Sequence, residues 1–179
     1  LAYYPGTGWS DDQKGRFFLC DFRGGPANSG VRSFRVKRNG AFFKVIDQEQ
    51  PFWSILATDI QFGPAGGVYI SDWVNGWNGE GKGRLYRFMI DETKTSRVVA
   101  DVKQLLANDL TNQPTDRLRE LLGHADQRVR QTAQFALVEN QKFAVLLSAL
   151  RNDNRLLARL HAIWGLGQIA RRDQNKRNP

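Results

Sequence analysis

The sequence predicts a mixed chain in two parts, all-β over residues 1–102 and all-α over residues 103–179, and three observations predict it. A strand-and-loop pattern recurs in the first half, the apolar period turns from strand-like to helical after Val102, and a helical pattern then recurs in the second half. With 41% hydrophobic and 25% charged residues, the chain has the composition of a folded globular protein rather than a disordered one.

In the β half, GRFFLCDF at Gly15 to Phe22 matches GGVYISDW at Gly66 to Trp73 at an offset of 51, position 66 against position 15. The partner strands recur too, RSFRV at Arg32 to Val36 against RLYRF at Arg84 to Phe88, at an offset of 52, position 84 against position 32. Each unit reads as a small antiparallel sheet: a strand, a Gly-rich loop, a second strand and a hairpin to a third. In the first unit Arg38-Asn39-Gly40 separates FRVK from AFFKVI, and Asn-Gly supplies the positive φ angles of a tight primed turn. WSILATDIQF, Trp53 to Phe62, is the expected fourth strand. A four-stranded unit of about 50 residues has the dimension of one β-propeller blade, so the segment is expected to hold about two blades. Two blades leave open edges, and the chain opens on Leu1 directly into a strand-and-turn pattern, so it is expected to be a piece of a larger protein whose other blades close the ring.

In the α half, KQLLANDL, DRLRELLGHADQRVRQTAQFALVEN, KFAVLLSALRNDN and RLLARLHAIWGLGQIARR carry apolar residues at three-and-four spacing. Asn112-Gln113-Pro114-Thr115-Asp116 breaks the first helix from the next, with Thr115 or Asp116 as its N-cap. VRQTAQFAL at Val129 to Leu137 matches ARLHAIWGL at Ala158 to Leu166 at an offset of 29, position 158 against position 129, aligning Arg130 with Arg159, Ala133 with Ala162 and Leu137 with Leu166. A helix, a turn containing Asp (His124-Ala125-Asp126, then Asn152-Asp153-Asn154), and a helix opening on Arg form a HEAT-like repeat. The repeat is shorter than the usual length of about 40 residues, so short helices are expected. The polar tail RRDQNKRNP is expected to fray.

The net charge of +8 is unevenly placed. Residues 1–102 carry thirteen Lys and Arg against eleven Asp and Glu, residues 103–179 thirteen against seven. The helical excess is spread at helical spacing rather than gathered in a block, which suits a solvated helix face and no nucleic-acid partner. No apolar run reaches the length of about 18 residues that a spanning helix needs. Cys20 is the single cysteine, which excludes a disulfide, a metal-binding Cys pair or a haem-attaching C-x-x-C-H within the chain, and its place in FFLC suits a buried thiol.

The loop SDWVNGWNGEGKGR, Ser71 to Arg84, gathers the polar and glycine residues of the β half. Asp72, Asn75, Asn78 and Glu80 are oxygen donors of the kind calcium prefers, and Asp72, Asn75 and Glu80 are the candidate metal ligands, although the spacing is not that of an EF-hand. Asp72, Trp73, Asn75 and Trp77 are the ligand-loop candidates. A structural connection between blades is the competing reading. Asp21 and Asp72 recur at equivalent strand ends, which suits a role in accepting hydrogen bonds from turn amides. Trp73 and Trp77 can stack on a sugar or cofactor ring or pack between blades. His124 and His161, the only histidines, have no second ligand at usable spacing. No Ser-His-Asp or Cys-His pairing, phosphate loop or dinucleotide fingerprint is present, so no catalytic residue is assigned.

YYPGTGWSDDQKGRFFLCDFRGGPANSGVRSF, FGPAGGVYISDWVNGW and GKGRLYRF resemble the large propeller-containing, haem-binding, membrane-bound-dehydrogenase-like proteins of planctomycetes and verrucomicrobia. The resemblance covers nearly the whole chain. In that family a propeller similar to the soluble quinoprotein glucose and sorbosone dehydrogenases is followed by HEAT repeats and commonly by a cytochrome c domain. The resemblance implies a periplasmic or cell-surface parent that oxidises a sugar or related alcohol using PQQ (pyrroloquinoline quinone) and calcium and passes electrons to haem c. It also implies that the catalytic His and most quinone-binding residues belong upstream of Leu1, so that this segment is a non-catalytic scaffold to which no cofactor is assigned. Its partners would be the remaining propeller blades and the downstream HEAT and cytochrome domains. The family's Gly-Pro-Asp-Gly turn reads Gly63-Pro64-Ala65-Gly66, one carboxylate fewer for any calcium. The alternative is a non-enzymatic propeller and HEAT scaffold that binds a glycan or a protein.

Overall fold

The computed structural model describes residues 1–75, 77, 81–90 and 96–177, with side chains as far as Asp173. The chain divides into two compact units, Leu1–Ala100 and Asp101–Pro179.

The first unit holds two antiparallel sheets, and the second is helical. The first sheet runs in sequence order: β1 (Ala2–Tyr3), β2 (Phe17–Asp21), β3 (Gly30–Asn39) and β4 (Phe42–Trp53). The second comprises β5 (Ala57–Phe62), β6 (Val68–Asp72) and β7 (Arg84–Phe88), again in order. Trp53 to Phe62, expected as one strand of the first unit, is therefore two pieces: Trp53 ends β4, and Ala57–Phe62 opens the second sheet. The division falls where Ser54 takes a left-handed φ of 61°. Beyond it the Ile55 N–H reaches Ser29 O (3.3 Å) and the Leu56 N–H reaches Asp72 Oδ1 (3.0 Å), which hands the chain to the second sheet.

The two sheets pack on one shared cluster, with Ala2, Tyr4, Phe18 and Val31 from the first sheet or its edge and Ala57, Ile60, Val68 and Ile70 from the second. Strand side chains alternate between faces, so this packing fixes which face each repeat uses. In β2 the core residue is Phe18, while Phe17 and Leu19 point to the other side. In β6 the core residues are Val68 and Ile70, the counterparts of Phe17 and Leu19. Equivalent positions thus serve opposite faces. The outward face of the first sheet carries Phe17, stacked on Phe34 (ring centroids 5.6 Å) and tilted against Tyr3 (4.9 Å), with Tyr3 43% and Leu19 41% exposed.

β4 has twelve residues against ten in β3, and the surplus is taken up by register shifts between Val31 and Ser33 and between Ser33 and Arg35. Bulges of this kind free backbone groups, and buried Arg16 takes up one of them: its guanidinium donates to Asp47 O (2.8 Å) as well as to the Ser33 hydroxyl Oγ (3.1 Å), and pairs with Glu49. At the hairpin tip Asn39 stays in the ladder opposite Phe42, leaving Gly40-Ala41 as the loop. Only Gly40 has positive φ there (63°), so glycine at the first central position makes the turn, not the Asn-Gly pair.

The helices are α1 (Arg97–Ala107), which crosses the unit boundary, α2 (Thr115–Leu121), α3 (Gln127–Glu139), α4 (Phe143–Asn152) and α5 (Leu156–Arg177). Their apolar stripes meet in a core that includes Val102, Leu118, Leu122, Val129, Leu137 and Leu146, all fully buried. Pro114 holds the N-cap position of α2, so Thr115 and Asp116 lie inside its first turn, where the Asp116 carboxylate faces the positive helix end. α3 starts at a true cap: Asp126 Oδ1 accepts the Arg128 N–H at 2.9 Å. The tail expected to fray continues as helix to Arg177. No helix among the described residues is long and apolar enough to cross a membrane.

Candidate functional site at the Trp73 loop

β6 ends on Asp72, and the chain turns there because that carboxylate gathers the turn's donors. Asp72 Oδ1 accepts the N–H of Leu56 (3.0 Å) and of Val74 (2.9 Å), and Oδ2 accepts the Tyr86 hydroxyl (3.3 Å). The residue is 6% exposed, so its oxygens meet donors of the chain rather than water. Val74 is held at φ 52°, a left-handed conformation that costs a β-branched residue free energy. The bond from its own N–H to Asp72 helps to hold it there.

That twist aims the aromatic residues. Phe22 and Trp73, repeat counterparts, stack with centroids 5.7 Å apart and planes 24° apart. Trp77 meets Trp73 edge-on at 4.8 Å and 70° and is 77% exposed. The three rings form an aromatic ledge at the end of both sheets. Sequence reasoning named Trp73 and Trp77 but left out Phe22, although the repeat alignment already placed an aromatic ring at that position.

Asp21, the counterpart of Asp72, has different partners. It accepts from Arg23 Nε (2.9 Å) and Arg32 Nε (2.6 Å), and these guanidinium hydrogen bonds, Arg23 first, hold its carboxyl below the usual range. Arg32 also lies over the Trp53 ring at 5.1 Å. One residue before Phe22 the chain therefore carries a carboxylate held by two guanidinium groups, one of them over a further indole. Such a surface suits a neutral polyhydroxylated ring, which offers C–H faces to aromatic rings and hydroxyls to charged groups.

For a metal the arrangement is poor. Asp72 is turned to the backbone, Asn75 is exposed, and Asn78 and Glu80 lie outside the described residues. No group of three or more His, Cys, Asp or Glu side chains among the described residues could hold an ion. Cys20 is half-buried, and burial raises its thiol pKa.

In the helical unit the two Asp turns are built alike. Asp126 and Asp153 each accept the backbone N–H two residues on (Arg128 and Arg155, both 2.9 Å) and pair through both carboxylate oxygens with that arginine's guanidinium. Asp153 is lowered to about 2, chiefly by Arg155. The aligned arginines differ: Arg130 is buried and donates to His124 O (2.6 Å) and Ala125 O (2.9 Å), whereas Arg159 is exposed. Arg130 Nε also donates to His161 Nε2 (3.3 Å), and the other ring nitrogen bonds Gln134 Oε1 (2.7 Å). Because Gln134 Nε2 donates to Gln168 Oε1 (2.9 Å), Gln134 Oε1 is the acceptor and His161 carries its proton on Nδ1. Burial, with Arg130 beside it, lowers the His161 pKa to about 4, so the ring is neutral at physiological pH. Burial likewise lowers His124. No family model, curated protein or solved structure matches the chain.

Proposed function

We infer that residues 1–179 are a non-catalytic scaffold of a larger propeller protein, in which sheets of this kind close a ring and the helices begin a HEAT-type array. In this reading the parent is a periplasmic or cell-surface oxidoreductase that oxidises a sugar or related alcohol through quinone and haem held outside this segment. The observation that carries the reading is the facing of the two sheets. Repeat counterparts pack on opposite sides, Phe17 outward and Val68 inward, which is the head-to-tail relation that rotation about a common axis generates. The outward stripe of Tyr3, Phe17, Leu19 and Phe34 is the surface on which a preceding sheet would sit in such a ring. The scaffold role is supported by Asp72, whose oxygens serve turn amides and a tyrosine.

Mass spectrometry and absorption spectroscopy on the full-length native parent test the redox reading. Bound quinone together with c-type haem is the expected result; a well-folded parent with neither overturns it. The glycan-binding alternative is favoured by one feature, the Trp77 ring left 77% exposed against Trp73. If it holds, glycan-array binding by the chain is lost in Trp77→Ala.

A further inference from the structure

The helical unit carries a groove that its own packing does not require. Its α3 wall is formed by Gln127, Gln131, Gln134 and Phe135, at helical three-and-four spacing, and its α5 wall by His161, Trp164, Gln168 and Arg171. Open hollows of about 680 and 550 Å³ adjoin at Phe135, Gln168 and Arg171 and together make a surface channel.

Three features set this channel apart from ordinary helix surface. First, Phe135 and Trp164 are repeat counterparts, 46% and 53% exposed. Phe135 stays exposed although α5 lies beside α3 and holds Gln134 through His161 and Gln168. Second, the chain from Arg130 through His161 and Gln134 to Gln168 locks the amides at the channel floor. With Oε1 of Gln168 taken, its NH₂ group is left to donate to a carbonyl. Third, Gly167 lines the channel in mid-helix, where glycine weakens a helix, and a Cβ built there meets nothing within 4 Å. The space over Gly167 is therefore open.

Charge selects the occupant. Arg171 lines both cavities and Arg172 the second, against a single carboxylate, Glu139. We propose that this channel docks an extended acidic segment of another polypeptide. An apolar side chain of that segment lies across Phe135 and Trp164, its backbone carbonyls accept from glutamine amides, and its carboxylates reach Arg171 and Arg172. Nucleic acid fits less well, because two arginines beside an amide floor and two exposed aromatic rings offer few phosphate contacts. The inference stands on the helical unit alone and is independent of the parent's redox chemistry.

The test is an array of immobilised decapeptides graded from acidic to basic, each with and without a central Phe or Leu, probed with the whole chain. A single-stranded oligonucleotide is titrated in parallel. The expected result is retention on acidic peptides that carry the apolar residue, weakened about tenfold or more by R171E/R172E and by Phe135→Ser. Gly167→Ala separates binding from folding: it should raise the thermal midpoint while lowering affinity. Preference for basic peptides, binding blind to charge, oligonucleotide binding lost in the same variants, or a Phe135→Ser variant that binds like the parent chain overturns the proposal.

Discussion

Asp72 and His161 are both buried polar side chains whose surroundings decide their chemistry. Asp72 satisfies two backbone N–H groups and one hydroxyl. Asp72→Ala strands those donors and should cost about 3 kcal/mol, whereas Asp72→Asn keeps an acceptor for the amides and should cost about 1 kcal/mol; urea denaturation ranks the two. For His161 the sign follows from its lowered pKa, about 4 against 6.5 in the unfolded chain. Below 6.5 the unfolded chain takes up a proton that the folded chain refuses, so stability falls as pH drops from 6.5 towards 4 and is complete above 6.5. The slope contributed by this one group is at most about 1.4 kcal/mol per pH unit. The gap between urea midpoints at neutral pH and at about pH 5 should narrow in His161→Gln, the remainder belonging to His124, whose pKa burial also lowers, and an unchanged gap would remove His161 as a cause. Asp153, lowered to about 2, stays ionised across that window and does not mimic the effect.

At the scale of elements, the paired Asp turns of the helical unit invite a direct comparison. Asp126→Ala removes an N-cap and strips Arg128 of its partner at a side chain with 0% exposure, and should cost about 2 kcal/mol. Asp153→Ala should cost less, because its Arg155 is 41% exposed against 26% for Arg128, so more of the released charge finds water. Helical denaturation by circular dichroism measures both. These elements were partly legible in the sequence. Period alone separated strands from helices, and the repeat aligned Phe17 with Val68. The division of Trp53 to Phe62 was not legible: Ser54 gives no turn signal of its own, and its φ is set by hydrogen bonds to Ser29 and Asp72, remote in sequence. The cap of α2 was misplaced by one turn position, because Thr115 and Asp116 are both good cap residues, while Pro114 already supplies the extended conformation the cap needs. At the candidate site, Trp73 and Trp77 stood out as aromatics in a Gly-rich loop. Phe22 did not, since only packing of one sheet on the other brings it beneath Trp73.

At the scale of the whole molecule, each unit has its own buried cluster. Leu137→Ala, at a fully buried position, should therefore destabilise the helices by about 3 kcal/mol. Hydrogen exchange should then lose protection in α2 to α5 and retain it in β2, β3 and β6; parallel loss in the strands would mean that the two clusters unfold as one. The opposite facing of Phe17 and Val68 has a further result for how such a molecule comes to exist. A unit that offers its successor a different surface from the one it takes from its predecessor can be duplicated in tandem without designing a new joint, since every added copy reproduces the joint already there. Copy number is then set by the angle turned at each step, the count at which the last copy meets the first. If the proposed ring holds, a piece short of that count would present growing ends, and concentration should drive it into polymers.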